Sequence, residues 1–174
     1  MQNPTYLSIS GTTQGFISEG ASTEQSVIGG WQKDHEDKIL VWDVSHNIYI
    51  PHDPSSGRAG GQSTHKPLVI TKAFDKSSPL LFSALTRAEK MSEWHLELYR
   101  DDAENGGALE LFYTITLEGA VIVDIQSRMP LRLDSNNEPL THREEVSFSY
   151  RKITWEHIAS NTSGSYDWSD KKTG

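Results

Sequence analysis

Apolar and polar positions alternate along most of this chain with the two-residue period of a half-buried strand. Leu7 and Ile9 sit among serines between Thr5 and Ser10. In KILVWDVS, Lys38 to Ser45, the parity of Leu40, Trp42 and Val44 predicts the core side. Val41, Asp43 and Ser45 share the other parity, which ends polar and predicts the water side. Leu68 to Phe74 is a further strand. Between Glu93 and Arg100, Trp94, Leu96 and Leu98 read inward, and His95, Glu97 and Tyr99 outward. Leu109 to Leu117 and Val121 to Ile125 repeat the pattern on either side of Gly119. Asn105-Gly106-Gly107 predicts a hairpin, because these residues tolerate positive φ. Asn136-Asn137-Glu138-Pro139 predicts another turn. From Glu145 to Trp155 the parity slips: Val146, Phe148 and Tyr150 are followed by Ile153 and Trp155. A β-bulge at Arg151-Lys152 that bends the strand accounts for the slip.

One stretch breaks the period. In DKSSPLLFSALTRAEKM, Asp75 to Met91, Ser78 is placed to cap a helix and Pro79 to occupy its first position. Leu81, Leu85 and Ala88 recur at helical spacing with Phe82 beside them, and Arg87 and Lys90 fall in the last turn. The helix spans about three turns. About eight strands and one short helix predict a mainly β fold, a small β-barrel or two-sheet sandwich, with the helix plugging an end or covering an edge. Pro51 to Pro67, PHDPSSGRAGGQSTHKP, has no period and is long for a hairpin loop, which marks it as functional or mobile. The tail beyond Ser160 is polar and predicts a loose end. The expected division is a β domain over 1–160 and a tail over 161–174.

Composition narrows the function. At 174 residues the chain makes one domain able to bury a core without disulfides. The absence of cysteine removes thiolate metal sites and cysteine nucleophiles. A net charge of −8 argues against nucleic acid and anionic membrane as partners. MQNPTYLSIS lacks the basic and apolar regions of a secretory signal, and no apolar run reaches membrane-spanning length. The seven histidines show no ligand spacing: His35-Glu36-Asp37 are adjacent, and His46, His52 and His65 flank the long loop. No nucleophile elbow or phosphate-cradling glycine loop is present, so no catalytic residue, metal or cofactor is assigned. Of the five tryptophans, Trp42, Trp94 and Trp155 lie at core parity, leaving Trp31 and Trp168 in loops.

Five segments together resemble the haemolysin-coregulated protein family of type VI secretion: YLSISGTTQG (Tyr6–Gly15), GAST (Gly20–Thr23), HED (His35–Asp37), HKPLVITKAFDKSSPLL (His65–Leu81) and EEVSFSYRKITWEH (Glu144–His157). The likeness extends from Met1 to about Trp168, and the strand–DKSSP–helix junction is its most specific piece. It implies a phage tail-tube-like fold and hexameric rings that stack into the inner tube of the apparatus. It also implies assembly in the bacterial cytoplasm and export on sheath contraction without a cleaved signal. The implied partners are further copies of the chain, the spike, the contractile sheath, the baseplate and small effector proteins carried in the lumen. On this reading Asp43, Ser45, His95 and Glu97 are lumen-facing candidates. By position Pro51–Pro67 matches the family's extended loop, so His52, Asp53, Arg58, Gly60 and Gly61 are candidates for ring or stacking contacts.

Two other classes compete. A lectin-like β-sandwich would use Trp31 and Trp168 to stack sugars. A small hydrolase would use a carboxylate pair.

Overall fold

Segments of strand period become strands throughout the computed structural model, which describes residues 3–27, 29–137 and 141–169. In chain order they are β1 (Thr5–Gly11), β2 (Gly15–Phe16), β3 (Ile39–Ser45), β4 (Ile48–Tyr49), β5 (Thr64–His65) and β6 (Leu68–Ala73). The α-helix α1 (Ser78–Thr86) follows, then β7 (Met91–Asp102), β8 (Ala108–Glu118), β9 (Val121–Arg128), β10 (Arg143–Ser149), β11 (Lys152–His157) and β12 (Thr162–Asp167). The main path runs β12-β11-β8-β7-β1-β3-β6-β10-β9 with β2 beside β1, while β4 and β5 pair separately. The fold is mainly β with one helix, as the alternation predicts. The expected eight strands become twelve among the described residues. Three of these are two-residue strands too short to show a period.

The path is open, but it folds over into two layers. β8 pairs with β11 and β9 with β10, while Gly119-Ala120 joins β8 to β9 and Tyr150-Arg151 joins β10 to β11. One two-stranded ribbon thus turns a corner and serves both layers. The parity slip read as a bulge in one long strand is this corner, where β10 ends and β11 begins. Gly119 sits there at φ +62°, and an added Cβ would lie 3.0 Å from the Arg151 Cβ. A side chain would meet both backbone strain and a close neighbour.

Inward residues close the core between the layers. Leu7, Ile9, Leu68, Ile70, Leu96, Val146 and Ile153 are buried, and Trp94 meets Phe148 edge-on at 5.4 Å. β3 departs from its predicted phase. Ile39 and Val41 enter the core, whereas Trp42 stays 42% exposed. The β3–β6 register shifts between Val41 and Asp43, so Trp42 and Asp43 both face outward before Val44 returns to the core. Alternation assigns one phase to a whole strand; a bulge changes phase within it. Trp42 therefore leaves the expected core set, while Trp94 is buried and Trp155 packs partly buried against it.

The helix also starts one residue earlier in its cap. Ser77, not Ser78, is the N-cap, and neither the Ser77 hydroxyl nor any other side chain makes the usual cap bond. Asp75 Oδ1 accepts from the Ser77 amide and hydroxyl instead. The helix ends at Thr86, so Arg87 is its C-cap and Lys90 lies beyond, and Ala88, at φ 50°, is exposed rather than in the core. Leu81 and Ala84 are the apolar residues it buries, with Leu85 partly buried beside them, and it packs on β9 at the end of the sheet path.

Ser78 is drawn elsewhere. Its hydroxyl donates to Glu144 Oε1 at 2.6 Å and accepts from Lys72 Nζ and the Asp75 amide, both at 3.0 Å. Lys72 Nζ also donates to Glu144 Oε1 at 2.6 Å and lies 3.1 Å from Asp75 Oδ1. Both Lys72 and Glu144 are fully buried and directly opposite across the β6–β10 ladder. This network ties the strand–DKSSP–helix junction to β10.

The tail is not loose from 161 onward. Thr162–Asp167 pairs along all of β11, so the sheet continues past Ser160. Its residues are mostly polar and exposed, which hides the strand from a hydrophobic-period reading. The predicted turn at 136–139 is met in part by a 3-10 turn at Ser135–Asn137; Glu138 and Pro139 lie outside the described residues.

Candidate functional site: an open sheet face and a projecting arm

Residues of non-core parity share one side of the sheet, and all four predicted lumen-facing residues lie on it. Asp43 pairs with Thr71 and Ser45 with Val69, and both are exposed. His95 and Glu97 lie two strands away, opposite Ser8 and Tyr6 of β1. They are half-buried rather than open. His95 Nδ1 is 2.9 Å from the Thr116 hydroxyl. Glu97 Oε2 accepts from Lys38 Nζ at 2.5 Å and from the Tyr99 hydroxyl at 3.3 Å. The loop leading into β3 roofs this patch: His35 stacks on Tyr6 at 4.2 Å, and the Tyr6 hydroxyl donates to Gln32 Oε1 at 2.8 Å. Burial, then the Glu97 charge, pushes the Tyr99 hydroxyl up to about 12. The candidates therefore form two patches, an open one at Asp43 and Ser45 and a roofed one at His95 and Glu97.

Beside the open patch is a cleft of about 650 Å³, lined by Leu40, Trp42, Phe74, His142 and part of the loop over 21–32. Parity places Trp42 in the core, so the apolar pattern does not reveal this element of the face. The bulge that exposes it leaves no mark in the apolar pattern.

The second candidate, Pro51 to Pro67, is an extended arm. β4 and β5 form its root, His52 bridges Ala59, and the amides of Asp53 and Gly60 donate to the carbonyls of Arg58 at 2.9 Å and Pro51 at 2.8 Å. What reads as a long aperiodic loop is thus an irregular hairpin. Pro51 to Gln62 is exposed throughout. The Asp53 carboxylate accepts from the Ser55 amide at 2.8 Å and the Ser56 hydroxyl at 3.0 Å, which holds it below the usual carboxylate range. Asp53 therefore shapes the tip, while His52 and Arg58 are exposed on it. Gly61 takes φ +85°; Gly60 has an ordinary φ and no atom within 4 Å of an added Cβ.

The loop tryptophans do not share a site. Trp31 donates to Glu36 Oε1 at 3.1 Å, whereas Trp168 lies 4.9 Å from the His65 ring and lines a recess with His65, Tyr150 and Arg151 that Trp31 does not reach. No helix among the described residues is long and apolar enough to cross a membrane.

A family model described as type VI secretion system effector, Hcp, matches residues 6–157. The chain belongs to the Hcp family. The matched span begins and ends with the first and last segments that carried the resemblance, Tyr6 and His157. The Major exported protein of Pseudomonas aeruginosa is 49% identical over 174 residues, the whole of both chains. A crystal structure of an Hcp protein matches with a TM-score of 0.89 and 43% identity, covering 95% of this chain and 98% of that one. The secreted protein Hcp3 from Pseudomonas aeruginosa matches at 0.80 and 45%, over 95% and 98% of the two chains. Among Hcp folds, then, the sandwich with one helix on β9 and an exposed arm is this chain's arrangement.

Proposed function

We propose that this Hcp chain is a structural subunit of the type VI secretion tube: it forms hexameric rings that stack, carries small effector proteins in the lumen, and leaves the cell with the tube. The carrying observation is the arm. It is internally hydrogen-bonded yet exposed from Pro51 to Gln62, so it spends ordering entropy without burying surface in its own subunit. A neighbouring copy that covers it supplies the missing burial. The two ends of the sheet path, β12 and β9, are different edges, which suits the heterologous contacts of a closed ring. Asp43, Ser45 and the Trp42 cleft face the lumen in this reading and contact the effector. The export of the related Pseudomonas aeruginosa protein, named for it, supports delivery outside the cell. Sheath, spike and baseplate are the partners such a tube requires.

Light scattering on purified protein tests the ring. A species near about 117 kDa, six times the 19.5 kDa chain, is expected. Deletion within the arm or a proline at Gly57 should lower that mass while the monomer stays folded. A monomer at all concentrations, or a ring unaffected by the arm deletion, overturns the assembly role.

A further inference from the structure

At its root the arm meets the body through one shared hydroxyl and the rings around it. His46 precedes β4 and His65 lies in β5, so the two rings flank the two strands of the arm. His46 Nε2 is 3.0 Å and His65 Nδ1 2.6 Å from the same Tyr150 hydroxyl, at the corner between β10 and β11. The far nitrogen of His65 is 3.3 Å from the Ser63 hydroxyl, and the backbone of Lys66 favours a hydrogen on the His46 ring. One pattern of protons satisfies every group. His46 directs its Nδ1 hydrogen toward the Lys66 backbone, leaving its Nε2 to accept from the Tyr150 hydroxyl. Tyr150 accepts in turn from His65 Nδ1, and His65 Nε2 accepts from Ser63. This assignment follows from the network, and in it both imidazoles are neutral.

We propose that this root is a proton-sensitive latch: Tyr150 ties the arm to the sandwich corner while His46 and His65 are neutral, and protonation of either ring loosens it. A proton on His46 Nε2 leaves the phenolic hydrogen without its acceptor; a proton on His65 Nε2 turns the Ser63 hydroxyl from donor to acceptor and places a cation beside Lys66 and Arg151.

The surrounding groups favour the neutral rings. Lys66 and Arg151 line the recess of about 460 Å³ beside His65, together with Tyr150 and Trp168. Asp167 is taken by Arg151 at 2.7 Å and by Ser169. No carboxylate among the described residues hydrogen-bonds to either ring. Tyr166, stacked on His65 at 4.4 Å, opposes this, since an aromatic face favours a cation, and Trp168 lies edge-on at 4.9 Å. Burial lowers both histidines from the ordinary value; the neighbouring His65 lowers His46 as well, against the raising effect of the Lys66 backbone. A lowered histidine in the latched state contributes stability that is present above its free value near 6.5 and is lost as pH falls through its latched value.

The latch is read in the full chain by hydrogen exchange, corrected for the intrinsic pH dependence. The reporters are the Lys66 amide, bonded to the Asn47 carbonyl, and the Gly60 amide, bonded to Pro51. Protection is expected to fall up to about tenfold per histidine from pH 7.5 to 5.5. The H46Q/H65Q variant should lose this pH dependence. Protection unchanged with pH in the parent chain, or equally pH-dependent in H46Q/H65Q, overturns the latch. Should the variant not fold, proton NMR titration of the parent decides: titration of both rings at the ordinary value overturns it, and lowered values with the arm's resonances shifting in step support it. The consequence for assembly rests on the arm's proposed contact role. Native mass measured at both pH values separates the two: loosened exchange with unchanged mass upholds the latch and removes the contact role.

Discussion

Two polar networks join distant parts of this chain, and they are built on opposite terms. Beneath α1, Lys72, Glu144 and Ser78 meet with the first two fully buried. At the arm root, His46, Tyr150 and His65 meet beside an open recess. The first balances opposite charges away from water, a geometry that holds only while every member is present. The second closes its hydrogen bonds with neutral rings that water can reach. One network fixes a single arrangement of the junction; the other has a second protonation state within easy range. Burial therefore separates structure from response more clearly than the residue types do.

The largest effect should come from Lys72→Met. It leaves Glu144 charged and buried without its ammonium partner, which costs about 3–5 kcal/mol. Urea unfolding should show a large fall in midpoint with an unchanged slope. Lys72→Met/Glu144→Leu should recover most of the loss, because the orphaned charge goes with its partner. A double variant as unstable as the single one would mean that the network's other bonds, not the charge pair, hold the junction. Ser78→Ala comes next, at about 1–3 kcal/mol, since it strips a buried acceptor and donor from that network. Were His65→Phe to cost as much as Lys72→Met, the distinction between sealed and open would fail.

Most of the sandwich was legible because alternation is a local record of two faces. Leu7, Ile9, Trp94, Leu96, Val146 and Phe148 all carry it and all reach the core. Trp42 misled because a bulge is a property of two paired strands, not of one. β12 was missed because an edge strand with exposed faces needs no apolar residues. The Lys72–Glu144 pair did leave a signal: each charge sits at the apolar parity of its strand, beside Ile70 and Val146. Two opposite charges at core parity mark a buried pair, but which strands pair is not local information. The same holds for the arm root, where His46 and His65 are separated from Tyr150 by 104 and 85 residues. Of the lumen candidates, the outward parity of Asp43 and Ser45 was readable, whereas the roof over Glu97 comes from a loop without a period.

Tyr150→Phe sharpens the comparison from the open side. The ring stays in place and only the shared hydroxyl goes, so the loss is about 0.5–1.5 kcal/mol. It should appear as faster exchange in the arm with little change in the global urea midpoint. A global loss matching Ser78→Ala would place this hydroxyl among the structural bonds. Burial, then Tyr166, pushes the Tyr150 hydroxyl up to about 12, so it remains a donor throughout the pH range of such experiments.

The smallest effects on the global unfolding midpoint come from two adjacent glycines of the arm. Gly61→Ala forces a side chain to φ +85° and should cost about 1–2 kcal/mol, confined to the arm. Gly60→Ala meets ordinary backbone and empty space, so the isolated subunit should not register it. The pair therefore divides what the arm needs for itself from what a neighbour demands. If Gly60→Ala lowers the native mass while leaving arm exchange unchanged, a second copy presses against that residue in the assembly. If Gly61→Ala loosens the arm and the mass still does not move, the arm is not the contact that holds the ring. Only the two glycines measured together, by exchange and by mass, tell an arm that shapes itself from an arm shaped by its neighbour.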